Sequence, residues 1–201
     1  MTFVVPALAA VLSYLLGSIP SALIAARLAG RPDPRTVGTG NAGSTNVALT
    51  VGPRAGIAVL TADLVKGTVC GFAGLILAGP VTGDACALAA ILGQIAPVFA
   101  GFRGGKGAAT TLGGYVGVAP ELAALGLLTW GLGLLVIRRA VLSTVTAIVA
   151  LALVTQVLGQ HQLLGLGAAA LTLAAHRGHL AAWRRGEMPT IREGLRDNRL
   201  R

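Results

Sequence analysis

The chain has 201 residues, enough for one domain, but 54% of them are hydrophobic, only 11% are charged, and the mean hydropathy is +0.77. Soluble chains carry about 25% charged residues, so this composition excludes a soluble enzyme, and its hydrophobicity excludes a disordered chain. Cys70 and Cys86 both lie inside apolar runs, which excludes a disulfide scaffold and predicts inert packing.

What remains is an all-α, polytopic membrane protein, in which about 20 apolar residues make one crossing. Taken in chain order, the uncharged stretches predict seven transmembrane helices. Residues 2–26 carry no charge and form the first. They lack the basic n-region of a cleaved leader, and Ser13, Ser18 and Ser21 punctuate them. The second runs from Gly56 through the uncharged stretch 67–83, and the third covers 85–102. Pro120 and Glu121 divide 107–137 into a short fourth and a fifth span. Residues 140–176 are too long for one helix across about 30 Å at 1.5 Å per residue. Their polar midpoint, Gln156, Gln160, His161 and Gln162, predicts a hairpin of spans six and seven.

Lys and Arg concentrate in short cytoplasmic loops. All sixteen fall on one side of this arrangement: between spans 1 and 2, after spans 3 and 5, and after span 7. The opposite loops, around 79–84, 119–121 and 156–162, hold only Asp84 and Glu121 as charges. The N-terminus is therefore expected outside and the C-terminus in the cytoplasm. The net charge of +9 and the pI near 11.3 then reflect orientation and anionic membrane lipids rather than nucleic acid. Residues 1–201 are expected to form a single integral membrane domain.

Glycine is about twice as frequent as usual, 29 of 201, and most glycines should serve close helix approach in lipid. Two clusters lie in expected cytoplasmic loops instead. The first loop reads R-P-D-P-R-T-V-G-T-G-N-A-G-S-T-N from Arg31 to Asn46. Its G-x-G-x-x-G at Gly38, Gly40 and Gly43 lacks the strand and βαβ context of a dinucleotide fingerprint. Flexible backbone N–H groups that can converge on an anion, beside Thr39, Asn41, Ser44, Thr45 and Asn46, make it either a phosphate site or an Asx- and Gly-rich turn.

The second loop, G-F-R-G-G-K-G-A-A-T-T from Gly101 to Thr111, fails as a Walker A motif because Ala100 and Gly107 occupy its Gly and Ser/Thr places. Arg103 and Lys106 among Gly104, Gly105 and Gly107, at the start of a span, still suit an anion. Asp63 and Lys66, three apart on one helix face, are expected to neutralise each other or to lean into the same cytoplasmic site. His176, Arg177 and His179 lie at the cytoplasmic end of span 7, where the imidazoles titrate near neutrality.

These pieces resemble the integral-membrane acyl-phosphate:glycerol-3-phosphate acyltransferases, the PlsY family of bacterial phospholipid synthesis. The resemblance rests on L-L-G-S-I-P-S at Leu15–Ser21, V-G-T-G-N-A-G-S-T-N-V at Val37–Val47, D-L-V-K-G at Asp63–Gly67 and P-V-F-A-G-F-R-G-G-K-G-A-A-T at Pro97–Thr110. It implies seven helices in the bacterial inner membrane, with the active site facing the cytoplasm. It also implies transfer of a fatty acyl group from acyl phosphate to the sn-1 hydroxyl of glycerol 3-phosphate, giving lysophosphatidic acid and phosphate. No metal or other cofactor and no nucleic acid is implied; the partners are the two substrates and membrane lipids.

Carried over by motif, the resemblance implies catalytic roles for Thr39, Asn41, Ser44, Asn46 and His176. Phosphate binding falls to Gly40, Gly43, Thr45, Arg103, Gly104, Gly105, Lys106 and Gly107. Asp63, Lys66, Gln94, Thr144, Arg177 and His179 are supporting candidates. The chain departs from the family at several places. Thr39 and Ser44 alter the usual G-S-G-N-I-G-A-T-N. Gln94, Ile95, Ala96 and Pro97 replace His-x-Phe-Pro. His179 stands where the family has Asn, and Val141 and Thr144 occupy positions that are usually serine. A catalytically silent membrane paralogue is therefore an alternative. A transporter is disfavoured, because its site would lie near the midplane of repeated halves, whereas these polar clusters gather at one face.

Overall fold

A computed structural model describes residues 3–187 and is helical, with no strand among the described residues. In chain order the helices are α1 (Val4–Gly17), α2 (Ser21–Leu28), α3 (Ser44–Thr50), α4 (Pro53–Ala78) and α5 (Pro80–Ile95). A 3-10 turn (Val98–Ala100) follows, then α6 (Ala108–Val118), α7 (Pro120–Ile137), α8 (Ala140–Leu158) and α9 (Gln162–Arg184). Arg192, Arg196, Arg199 and Arg201 of the expected cytoplasmic tail lie outside the described residues.

Among the described residues, five segments are long and apolar enough to cross a membrane: Val4–Leu28, Pro53–Ala78, Pro80–Ala100, Pro120–Ile137 and Ala140–Leu158. The first is broken at Pro20 into α1 and α2. The expected fourth span is α6, whose 11 residues reach only about 16 Å, half of a bilayer core. The expected seventh, α9, has 23 residues, but His176, Arg177 and His179 interrupt its apolar run. The breaks between helices fall where Pro and Gly place them: Gly79 at φ 85° before Pro80, Ala119 before Pro120, and Gly159 at φ 66°.

One reading of the breaks is corrected. Asp84 is not in a loop: Pro80 at the first helical position restarts the chain at once, and Asp84 is buried inside α5. A Pro there loses no intrahelical hydrogen bond, so the connection shrinks to a single glycine.

The described residues form two compact units, divided after Ala123. In the first, α4 packs against α5 and α6, and α1 against α5. Glycines set these approaches. A Cβ on Gly67 or Gly113 would strike the carbonyl oxygens of Thr110 or Leu64 across the α4–α6 contact. One on Gly17 or Gly93 would strike those of Ala90 or Tyr14 between α1 and α5. Small residues let backbones meet where lipid supplies no hydrophobic drive between helices. Large apolar side chains such as Leu8, Val11, Ile76 and Leu77 point outward, while Asp63, Lys66, Gln94 and Thr110 are buried. That inversion of a soluble core fits a chain solvated by lipid. In the second unit α8 packs on α9, with Gly165 against the Thr155 hydroxyl.

Candidate functional site: two polar loops over a buried ion pair

The first loop is built around the Asn46 side chain. Its Oδ1 accepts the Thr39 N–H at 2.8 Å, and its Nδ2 donates to the carbonyls of Pro34 (2.6 Å), Val37 (3.1 Å) and Asn41 (3.0 Å). Asn46 is fully buried, so each of these bonds replaces solvent that the amide has lost. Gly38 (φ 60°) passes directly over this amide, where a side chain would collide with it. Thr39, Gly40 and Thr45 remain exposed, and Asn41, Gly43 and Ser44 are half-buried.

The second loop is fastened to the end of α5. The N–H of Gly104 donates to the Ile95 carbonyl (3.1 Å) and that of Gly105 to the Gln94 carbonyl (3.0 Å). Several backbone donors of the two loops are engaged within the protein. The Gly104 and Gly105 donors cap α5, the Gly40 donor goes to Val37, and the Thr39 donor goes to Asn46. The cationic side chains and the first turn of α6, which no side chain caps at Gly107, are what the loop still presents. Arg103 is exposed and Lys106 is half-buried. Burial pushes the Lys106 ammonium down to about 8, because removal from water disfavours its charge.

The two loops are joined by a residue that the sequence presents only as an orientation charge. Arg35 pairs with Asp33 (Nη2 to Oδ2, 2.7 Å), and its Nη1 donates to the carbonyls of Ala100 (2.8 Å) and Arg103 (3.2 Å), 65 and 68 residues away. The Arg35 hydrogen bond holds the Asp33 carboxyl below its usual value, and the same pairing raises Arg35. The D-P-R spacing was the available signal. Ser21, Ala42, Gln94, Arg103, Gly104 and Gly105 line a cleft between these elements whose free volume is about 10 Å³, room for about one water.

Beneath the loops, Asp63, Lys66 and Gln94 close a triangle. Lys66 Nζ donates to Asp63 Oδ1 (3.0 Å), Gln94 Oε1 (3.2 Å) and the Ile19 carbonyl, while Gln94 Nε2 donates to Asp63 Oδ2 (2.8 Å). All three ammonium donors are thereby spent. Of the two expectations for Asp63 and Lys66, mutual neutralisation is the one found. Gln94 gives one hydrogen bond and takes another within the set, which a neutral imidazole could also do, so its departure from histidine keeps the donor–acceptor pattern.

In the second unit, His176 is buried, with Nδ1 2.8 Å from the Thr172 carbonyl. A carbonyl accepts only from a protonated nitrogen, which makes Nε2 the acceptor of the neutral ring. The His179 ring stands edge-on to it at 6.2 Å and 66°, and Arg177 is exposed. Thr144 accepts from Trp130 Nε1 (3.1 Å) and donates to the Ala140 carbonyl (3.0 Å), while Ser143 is bonded to the Arg139 carbonyl. Among the described residues no three His, Cys, Asp or Glu side chains gather as metal ligands would.

The family model for glycerol-3-phosphate acyltransferase matches residues 7–186. A glycerol-3-phosphate acyltransferase of Thioalkalivibrio sulfidiphilus is 42% identical over 89% of this chain and 90% of its own length. One of Pseudomonas syringae pv. syringae is 38% identical over 84% and 88%. Crystal structures of PlsY, an integral membrane glycerol 3-phosphate acyltransferase, superpose on this fold. The glycerol 3-phosphate form has a TM-score of 0.88 at 32% identity, covering 93% of this chain and 96% of PlsY. The lysophosphatidic acid form has 0.85 at 31%, covering 95% and 98%. The motifs, the helical membrane fold and these matches along nearly the whole chain converge: this protein belongs to the glycerol-3-phosphate acyltransferase family.

Proposed function

We propose that this enzyme acylates glycerol 3-phosphate with a fatty acyl phosphate as donor. The sn-1 oxygen attacks the acyl carbonyl carbon, the carbon–oxygen bond to phosphate breaks, and the leaving phosphate takes the electron pair. The hydroxyl proton ends on the released phosphate, so the products are 1-acylglycerol 3-phosphate and inorganic phosphate. An acyl phosphate is already activated, which leaves the protein to align the reactants and to stabilise charge.

The observation that carries this reading is the joining of the two polar loops through Arg35, which puts Thr39–Asn46 and Arg103–Gly107 on one cationic surface. Two phosphate-bearing substrates need such a surface. In this scheme Lys106, Arg103 and the uncapped first turn of α6 at Gly107 hold the glycerol phosphate with Gly43 and Thr45, while Gly40, Gly104 and Gly105, whose N–H groups are spent within the protein, shape the loops around it. Thr39, Asn41 and Ser44 hydrogen-bond the reacting groups, and Asn46 shapes the loop that presents them. The family motif gives His176, in the second unit, a catalytic role, with Arg177, His179 and Thr144 in support. The triangle of Asp63, Lys66 and Gln94 supports the loops from below.

We further propose that residues 1–201 act as one domain with seven crossings, counting α6 and α9. The N-terminus lies outside and the loops face the cytoplasm of a bacterial inner membrane. One experiment tests chemistry and sidedness together, because glycerol 3-phosphate does not cross a bilayer unaided. Inverted vesicles bearing the protein should form lysophosphatidic acid from added glycerol 3-phosphate and acyl phosphate, whereas sealed right-side-out vesicles should form none until permeabilised. The reverse pattern would overturn the orientation, and no product in either would overturn the activity.

A further inference from the structure

The Asp33–Arg35 pair belongs to neither glycine cluster, yet its hydrogen bonds reach the second loop, and Pro34 between the paired residues is held by Asn46 of the first. Asp33 occupies one edge of the guanidinium: Arg35 Nε lies 3.1 Å from each carboxylate oxygen and Nη2 lies 2.7 Å from Oδ2. The Arg35 N–H also donates to Oδ1 at 2.8 Å. With that edge fixed, Nη1 is aimed at the Ala100 and Arg103 carbonyls, which bracket the turn after the 3-10 segment. In that turn Gly101 and Phe102 both take left-handed conformations, at φ 64° and 59°. A non-glycine residue there costs about 1–3 kcal/mol and persists only when its surroundings hold it. Arg35 is one such restraint, beside the Phe102 N–H bond to the Pro97 carbonyl (2.9 Å) and the Gly104 and Gly105 bonds to α5.

We propose that Arg35, oriented by Asp33, is a positioning residue for acyl transfer: it locks the 100–105 turn and so sets Arg103 and Lys106 against the polar side chains of the first loop. The proposal rests on the acyltransferase reading of this site and deepens it. On its own side the clamp is rooted in the Asn46 hub, because Pro34, between the paired residues, gives its carbonyl to the Asn46 amide. One guanidinium therefore ties together the two loops that the acyltransferase reading assigns to the phosphates and reacting groups. The pair is partly open to water, with side chains 22% and 34% exposed. Exposed ion pairs contribute little to folding, so the loss should fall on substrate alignment and much less on stability.

Arg35→Ala should raise the KM for glycerol 3-phosphate about tenfold, with the melting temperature in lipid nearly unchanged. Arg35→Lys should recover only part of this, since an ammonium keeps the charge but lacks the planar fork. The deciding readout is a mutant cycle. In an Arg103→Ala, Lys106→Ala background, adding Arg35→Ala should change KM by less than about twofold, because a residue that acts by placing those two cations has nothing left to place. Multiplying effects, a wild-type KM in Arg35→Ala, full activity in Arg35→Lys, or a loss confined to melting temperature would each overturn the proposal. Failure of the wild-type protein to use glycerol 3-phosphate would instead overturn the underlying acyltransferase reading.

Discussion

Lys106→Ala is expected to raise the KM for glycerol 3-phosphate by about 10- to 100-fold while the protein stays folded. A charge-assisted hydrogen bond to phosphate is worth about 1.5–3 kcal/mol, and about 1.4 kcal/mol is tenfold in affinity. The same side chain predicts a pH profile. Its ammonium is depressed to about 8 by burial, so it is charged at pH 7 and loses its charge as pH rises through 8. Phosphate binding needs the charged form, so kcat/KM, which reports the free enzyme, should fall on the alkaline side by about tenfold per pH unit above 8. Bound phosphate draws the proton back, and kcat should therefore hold to higher pH. Lys106→Arg, charged at every accessible pH, should lack the alkaline fall. A flat wild-type profile to pH 9.5, with unchanged KM in Lys106→Ala, would reduce this loop to an orientation signal.

Lys66→Met is expected to cost about 3–5 kcal/mol of stability, because it leaves the buried Asp63 charge uncompensated. It also strands the Ile19 carbonyl and Gln94 Oε1, both of which Lys66 satisfies. Replacing both charges, as in Asp63→Leu with Lys66→Met, should recover most of the loss, since an apolar pair of similar volume is often as stable as a buried ion pair. Unfolding measured in lipid would decide it. A Lys66→Met protein as stable as wild type would mean that the triangle contributes nothing to holding α4, α5 and the α1–α2 break together.

Much of the helical frame was legible because membrane chains separate charge and apolar length so strictly. The break at Pro120, the polar hairpin at 156–162 and the loop positions of Arg103 and Lys106 could be read residue by residue. What stayed hidden was the destination of hydrogen bonds. Gly104 and Gly105 look like free anion donors, but an α-helix ends with unsatisfied carbonyls, and those of α5 take them. Arg35 reads as one more cytoplasmic charge, since nothing local marks carbonyls 65 residues away as its acceptors. Gln94 reads as a lost ionisable group, yet its partner Asp63 is 31 residues distant. Asp84 was placed in a loop because a charge between two apolar runs normally marks one; a proline helix start within a single residue of the preceding helix defeats that rule.

The central claim is acyl transfer from acyl phosphate to glycerol 3-phosphate, and the most direct test is product accounting with the purified protein in lipid. Synthetic acyl phosphate and glycerol 3-phosphate are supplied with no coenzyme A, carrier protein or added metal, and both products are measured over time. The expected result is inorganic phosphate and 1-acylglycerol 3-phosphate formed one for one, with neither accumulating above background when glycerol 3-phosphate is omitted. Phosphate release that continues without glycerol 3-phosphate and yields free fatty acid, or no turnover by a folded protein, would contradict it.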